Sequence, residues 1–353
     1  MLQPNFPTPH VVQEATESAM RDATYQRYGP NAGMMDLRQT VANSYSQRFP
    51  TLEVSAEHVC VGHGVVGCLF SALASLIEPG GEVLVPDPGW PNYSMMINIL
   101  GGQSVPYRLF AEDGWRPDVQ AVKELITPNT SVLLLCSPSN PCGSVLSQVE
   151  LQALVDVASA HGVHVICDEI YSSIYFGEGE APSVLGCHNI DTHNVSVVSG
   201  VSKAFAATGW RVGWLVGAPA LVATASKLQE ATISCGVPFA QAGAKEALLS
   251  VHRHDIASMT QEYERRRDVA LSVLREFGLY EYTPEGAFYV LVRSGDGSVE
   301  FCQRLLEEEG VAVAPGDTFG QHTSQHVRIS LAADTDAVAV WTRRLARFIV
   351  RQQ

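Results

Sequence analysis

Positive charge is scarce in this 353-residue chain: 23 lysine and arginine residues stand against 37 aspartate and glutamate, for a formal net charge of −14. That balance, with no local run of basic residues, repels nucleic acid and anionic membrane surfaces; an anionic ligand needs its own set of donors. Charged residues make up only 17% of the chain and hydrophobic ones 46%, a globular rather than a disordered composition and ample for a full core. No apolar run reaches the length of a membrane span; the longest are the size of strands. The opening MLQPNFPTPH has neither a basic start nor an apolar centre, so no secretory signal is expected. There is no C-x-x-C pair among Cys60, Cys68, Cys136, Cys142, Cys167, Cys187, Cys235 and Cys302. Several of these lie in apolar runs, where a free cysteine packs as a small hydrophobe, and a reduced cytoplasmic setting is expected. A metal site is not expected either. His322 and His326 are four apart but lack the glutamate of H-E-x-x-H, and His161 and His164 flank a glycine at a strand entry.

What the chain does have is alternation. Short, continuously apolar runs occur at His58–Gly62, Glu82–Asp87, Val132–Ser137, Val163–Asp168, Val195–Ser199 and Trp214–Gly217. Such runs mark strands covered on both faces. Helical stretches lie between them; one opens at Ser147, whose spacing to Glu150 makes a capping box, and ends near His161-Gly162. The pattern predicts an α/β layer with a mostly parallel sheet. Past Pro219 the texture changes. Ala220 to Phe277 reads as long, charge-studded helix, Pro284–Val292 and Val311–Ala314 as isolated strands, and Asp334–Gln353 as a closing helix. The expected division is a large domain over 36–245 and a smaller α+β domain built from 1–35 and 246–353.

Gly62-His-Gly64-Val-Val-Gly67 is a G-x-G-x-x-G after a strand, with Asp87 twenty residues beyond at the end of the next strand. Read alone, it fits a dinucleotide site, but its glycines only require that backbone N–H groups approach some anion closely. Asp87 is followed by Pro88-Gly89-Trp90, which reads as turn chemistry. Lys203 sits among small and apolar residues after a strand. Desolvation there lowers an amine's pKa and frees it as a nucleophile towards aldehydes. Arg211, eight residues on, can return to meet a phosphate as a two-pronged donor. Taken singly, Lys203 also fits a lysine snorkelling to water, Asp168 a helix cap, Asn140-Pro141 an ordinary turn, Trp90 core packing and Arg328 an exposed strand residue.

Together these segments resemble the class I/II aminotransferases, the aspartate-aminotransferase-like enzymes of pyridoxal-phosphate (PLP) fold type I. The lysine signature is Ser199-Gly-Val-Ser-Lys-Ala-Phe-Ala-Ala-Thr-Gly-Trp-Arg-Val-Gly213. Around it, in the family's order, stand Tyr28-Gly-Pro-Asn-Ala-Gly33 with Leu37-Arg38, Pro86-Asp-Pro-Gly-Trp-Pro-Asn-Tyr93, Ser137-Pro-Ser-Asn-Pro-Cys-Gly143, Asp168-Glu-Ile-Tyr171 and Val327-Arg-Ile-Ser330. The resemblance implies a large domain with a mostly parallel mixed sheet between helices, plus a smaller α+β domain. It implies that Lys203 holds pyridoxal 5′-phosphate covalently and shuttles the substrate's Cα proton, and that Asp168 keeps the ring nitrogen protonated. Tyr171 and Asn140 would bond the ring hydroxyl and Trp90 would stack on the ring. Gly64, Val65, Val66, Ser202 and Arg211 would hold the phosphate, Arg328 the substrate carboxylate with Asn140 and Trp90 nearby, and Tyr28 the neighbouring subunit's phosphate in a homodimer.

The implied reaction moves an amino group from an L-amino acid to a 2-oxo acid by a ping-pong course. Three departures bear on it. Gly200 stands where many members carry serine. Val66 stands where one bacterial aspartate-specific group has lysine, which favours a neutral, apolar or aromatic donor. Gln3-Pro-Asn-Phe-Pro-Thr-Pro9 resembles the family's E-P-D-F-x-T-P, with a short segment before it and Leu2 at a glycine position. Other outcomes on the same fold remain open at this level: C–S β-lyase, cyclase, decarboxylase or oxidase. More remote are a nicotinamide oxidoreductase and a non-catalytic regulator.

Overall fold

The computed structural model describes residues 3–187, 190, 194–251 and 253–352; Leu2 lies outside them. Seven strands form the main sheet: β1 (Val59–His63), β2 (Glu82–Asp87), β3 (Gln103–Arg108), β4 (Thr130–Cys136), β5 (His164–Asp168), β6 (Val195–Gly200) and β7 (Val212–Val216). Their order is β1-β7-β6-β5-β4-β2-β3. All adjacent pairs are parallel except those made by β7, which runs antiparallel to β1 and β6. A second, antiparallel sheet has three strands in the order β8-β10-β9: β8 (Tyr289–Arg293), β9 (Ala314–Pro315) and β10 (His326–Ser330).

Twelve helices accompany them among the described residues. They are α1 (His10–Arg21), α2 (Met35–Arg48), α3 (Gly64–Leu76), α4 (Asn92–Ile99), α5 (Val119–Leu125), α6 (Gln148–Ala160), α7 (Val201–Ala204), α8 (Pro219–Ile233), α9 (Pro238–Ser250), α10 (Arg253–Glu276), α11 (Val299–Glu309) and α12 (Thr335–Gln352). None is long and apolar enough to cross a membrane. The eight cysteines are all free.

Two hydrophobic cores lie on opposite faces of the main sheet, and the strands alternate between them. Val132 and Leu134 point into one core, Leu133 and Leu135 into the other. A strand buried on both faces needs apolar residues at every position, which explains the continuous runs. The capping box forms as its spacing requires: the Ser147 amide donates to Glu150 Oε2 at 2.7 Å, and the Glu150 amide donates to Ser147 Oγ at 3.2 Å.

Four expectations change. Gln103–Arg108 forms β3, an edge strand whose mixed polarity and internal Pro106 hide it from an apolar-run search. Of the strands expected to be isolated, Val311–Ala314 is strand only at Ala314, which with Pro315 forms β9; β8 and β9 both pair with β10, and His326–Ser330 supplies the central strand. Within Pro284–Val292 only the part from Tyr289 is strand, because Glu285 and Gly286 donate to the Gly143 carbonyl at 2.8 and 3.0 Å in a tight turn. The segment after Pro219 is three helices, α8 to α10.

Candidate active site

The parallel strands all end on one side, and the candidate residues follow their carboxyl ends. β1 leads to Gly64, β2 to Trp90, β4 to Asn140, β5 ends on Asp168, and β6 leads to Lys203. In open α/β sheets, ligands bind in this crevice. A cavity of about 390 Å³ lies here, a size suited to a small cofactor with its substrate. Val65, Val66, Trp90, Asn140, Asp168, Tyr171, Ser202, Lys203 and Arg211 all line it.

Asp168 is 3% exposed, and burial raises its carboxyl to about 6, against the Ile170 amide, the Tyr93 hydroxyl and Lys203. The Tyr93 hydroxyl donates to Asp168 Oδ2 at 3.0 Å. Burial pulls Lys203 down to about 8; Asp168 opposes the shift, and Arg211 and Arg328 add to it. At that value about a tenth of the amine is neutral near pH 7, far more than at the ordinary value of 10.5, which suits a nucleophile and base.

Arg328 comes from β10. It is 6% exposed, and Nη1 donates to Asn140 Oδ1 at 2.9 Å. Its Nε is buried without a hydrogen-bond partner. A guanidinium so placed, facing a cavity through Asn140, lacks an acceptor that a carboxylate would supply. Burial lowers its pKa.

The end of the cavity at the start of α3 is formed by close backbone approach. Gly64 opens α3 at φ +68, and a Cβ there would meet Arg211 Nη2 at 2.7 Å. Gly213 of β7 lies against the same turn: a Cβ would meet the Gly64 carbonyl carbon and Val65 amide nitrogen at 2.5 Å. Arg211 adopts a left-handed backbone, φ 55, and Nη1 donates to the Thr208 carbonyl at 3.0 Å. Helix amides without intrahelical partners, a buried Ser202 hydroxyl and a guanidinium thus converge. Gly200, where a serine would be common, has no space for one. A Cβ would meet the Val212 carbonyl oxygen at 2.7 Å and Gly213 Cα at 2.8 Å.

Tyr28 does not line this cavity and is 88% exposed. Asp87, the acidic residue of the dinucleotide pattern, is 6% exposed, and a Cβ on Gly320 would meet its Oδ1 at 1.9 Å; it is packed away from any ribose. His164 is buried with Nε2 3.0 Å from Ser196 Oγ, and His326 pairs with Glu281 at 3.1 Å. No cluster able to hold a metal occurs among the described residues.

Lining residues that the sequence reading did not single out include Gln3, Tyr93, Cys136, Thr208 and Tyr289. Tyr93 closes the aromatic block quoted above and Tyr289 follows Pro284-Glu-Gly-Ala-Phe288. Only the fold shows that both hydroxyls point inward. The set fits pyridoxal phosphate: a buried acid on the cavity wall, an amine beside it, and an anion cradle at the α3 start.

The family model described as aminotransferase class I and II matches residues 2–342. The aspartate/prephenate aminotransferase of Thermus thermophilus is 34% identical over 355 residues, 99% of this chain and 90% of that protein. Aromatic-amino-acid aminotransferase 2 of Thermococcus litoralis is 30% identical over 334 residues, 94% of this chain and 85% of that protein. Among solved structures, Thermus thermophilus aspartate aminotransferase with maleate matches at TM-score 0.92 and 33% identity, covering 99% of this chain and 90% of that one. The aromatic aminotransferase of Pyrococcus horikoshii matches at TM-score 0.94 and 30% identity, covering 100% and 95%. With a family match over nearly its whole length and a site built for that cofactor, this chain belongs to the class I and II aminotransferases, pyridoxal-phosphate enzymes of fold type I that act on amino and 2-oxo acids.

Proposed function

We propose that this enzyme moves an amino group from a neutral, apolar or aromatic L-amino acid to a 2-oxo acid in two half-reactions that share one site. The observation that carries the reading is the meeting of Lys203, Asp168 and Asn140 around one cavity, with Arg328 bonded to Asn140 behind it. Bound pyridoxal phosphate supplies an aldehyde that condenses with amines and a ring that acts as an electron sink. Lys203 would anchor the cofactor covalently and, as a free amine, would take the substrate Cα proton and later return it. Asp168 would hold a proton at the ring nitrogen; burial raises its carboxyl to about 6 despite the Ile170 amide, the Tyr93 hydroxyl and Lys203, and a further adjacent positive charge favours its ionised form.

Asn140 spends its carbonyl oxygen on Arg328, which leaves its amide N–H groups to donate to the ring oxygen or the substrate carboxylate. Tyr171 shares the ring-oxygen role, and Trp90 covers one ring face. The Gly64, Val65 and Val66 amides, Ser202 and Arg211 bind the phosphate. Arg328 takes the substrate α-carboxylate through its free Nε edge. Donor and acceptor occupy the same place in turn, which is the physical content of a ping-pong course.

The donor class follows from what surrounds the cavity. Beside the phosphate turn the wall is Val65 and Val66, with Val66 37% exposed at the mouth. With Lys203 on the cofactor, Arg211 on the phosphate and Arg328 reaching the α-carboxylate beside Asn140, no further cation lines the cavity among the described residues to meet a second carboxylate. We also propose a homodimer in which exposed Tyr28 completes the partner's phosphate site, and closure of the part built from 1–35 and 246–353 onto 36–245 when substrate meets Arg328.

A panel of amino acids against the holoenzyme, read as loss of the visible cofactor absorbance and gain of pyridoxamine phosphate, tests the reading. Aspartate ahead of every neutral donor would end the donor assignment. Ammonia release without pyridoxamine phosphate would replace transamination with a lyase outcome.

A further inference from the structure

Tyr289 sits between two parts of the site that work on different molecules. On β8 it lies diagonal to Arg328: the register pairs Arg328 with Leu291, and Tyr289 is two residues away on the same face. The Arg328 guanidinium stands 4.3 Å from the Tyr289 ring centroid, with the Phe319 ring 4.6 Å away. The Tyr289 hydroxyl turns the other way, to the Tyr171 hydroxyl at 3.0 Å. Tyr289 is fully buried, and its ring meets that of Tyr171 edge-on at 5.8 Å. One side chain thus touches both a proposed carboxylate binder and a proposed ring-oxygen donor.

We infer that Tyr289 is a positioning residue with two separable actions: its ring holds the Arg328 guanidinium in place for the substrate carboxylate, and its hydroxyl sets the direction of the Tyr171 hydroxyl. The inference rests on the proposed roles of Arg328 and Tyr171. A phenol has one proton to give. If Tyr171 donates to the cofactor's ring oxygen, the 3.0 Å contact requires Tyr289 to donate to Tyr171. Donation into Tyr171 polarises its O–H and strengthens its outgoing bond. A better-supported ring oxygen anion lowers the proton affinity of the neighbouring nitrogen that links cofactor to lysine. The titratable and charged groups facing Tyr171 are Tyr289, Cys136, Asp168, Lys203 and, at longer range, Arg328; those facing Tyr289 are Arg328, Tyr171 and Cys136. None but Tyr289 touches both Tyr171 and Arg328 in this set.

Two substitutions separate the actions. Tyr289→Phe keeps the ring and removes the hydroxyl; Tyr289→Leu removes both. In the holoenzyme, Tyr289→Phe is expected to move the pH midpoint of the visible cofactor absorbance upward by about half a unit or more. Its KM for the amino acid should stay within about twofold of wild type. Tyr289→Leu should show the same shift and also raise KM, and the inhibition constant of a non-reacting carboxylate analogue, by roughly tenfold. Circular dichroism melting identifies a folding failure, in which case Tyr289→Met, which keeps side-chain bulk without the aromatic face, is read by the same inhibition constant and is expected to weaken it likewise.

A Tyr289→Phe titration that overlays wild type overturns the hydroxyl's role. A Tyr289→Leu protein that is folded and binds the analogue as wild type does overturns the ring's. A wild-type protein that gains no visible absorbance from pyridoxal phosphate defeats the reading of the site itself, a different result from either.

Discussion

Lys203 costs the cofactor-free protein stability, and the sign follows from its titration. Its amine stands at about 8 in the folded chain against 10.5 as the ordinary value. Between those values the unfolded chain holds a proton that the folded chain has released, so stability rises with pH through that window. The cost is fully present below pH 8 and gone above 10.5. Lys203→Met apoprotein is therefore expected to resist urea better than wild-type apoprotein by a few kcal/mol at pH 7, with the difference closing near pH 10.5. Equal stability at pH 7 would show that the amine is not desolvated. Arg328 gives a second test. Lysine keeps the charge but not the two-pronged geometry or the Asn140 bond, so Arg328→Lys should raise KM for the amino acid roughly 10- to 100-fold with a smaller change in kcat. Both residues were legible in the sequence because each sits in a block with fixed neighbours. Tyr93 and Tyr289 were not singled out as site residues: a buried tyrosine in an apolar block reads as core, and only the fold shows that its hydroxyl meets Asp168 or Tyr171.

Between elements, the telling contact is β7 against the start of α3. It exists because Gly213 and Gly64 have no side chains where the two backbones touch. Gly213→Ala is expected to destabilise the protein by about 1–3 kcal/mol through overpacking and to weaken pyridoxal phosphate binding by displacing the amides that face the phosphate. Ser147→Ala is the matched control. It removes a cap on a residue that does not line the cavity and should cost about 1 kcal/mol with cofactor affinity unchanged. Thermal melts with a cofactor titration separate the two. The central strands could be read from sequence since burial on both faces forces a continuous run, as in Val132–Cys136. β3 could not, since an edge strand tolerates Gln103, Pro106 and Arg108. Nor could the pairing of the three-stranded sheet: strands as short as Ala314–Pro315 carry no period, and tertiary contact alone defines them.

At the scale of the whole molecule, Tyr28 is the residue that a single chain leaves unexplained. A tyrosine 88% exposed, next to a Gly-Pro turn whose Gly33 amide is bonded to Pro30, is presented rather than packed. It does not line its own cavity. If two chains exchange this residue, each site draws Lys203 from one chain and Tyr28 from the other, and defects on separate chains can be sorted into one bad site and one good one. Tyr28→Ala and Lys203→Ala proteins should each be nearly inactive alone. Unfolded together and refolded as an equal mixture, they form mixed dimers in about half of the assemblies by random pairing, each with one intact site, so about a quarter of wild-type activity should return. Under the alternative, in which Tyr28 serves its own chain, the mixed dimer places the two defects in different sites and restores nothing. Activity that stays at the level of the separate variants, with mixed dimers confirmed by native mass spectrometry, would therefore exclude a shared site.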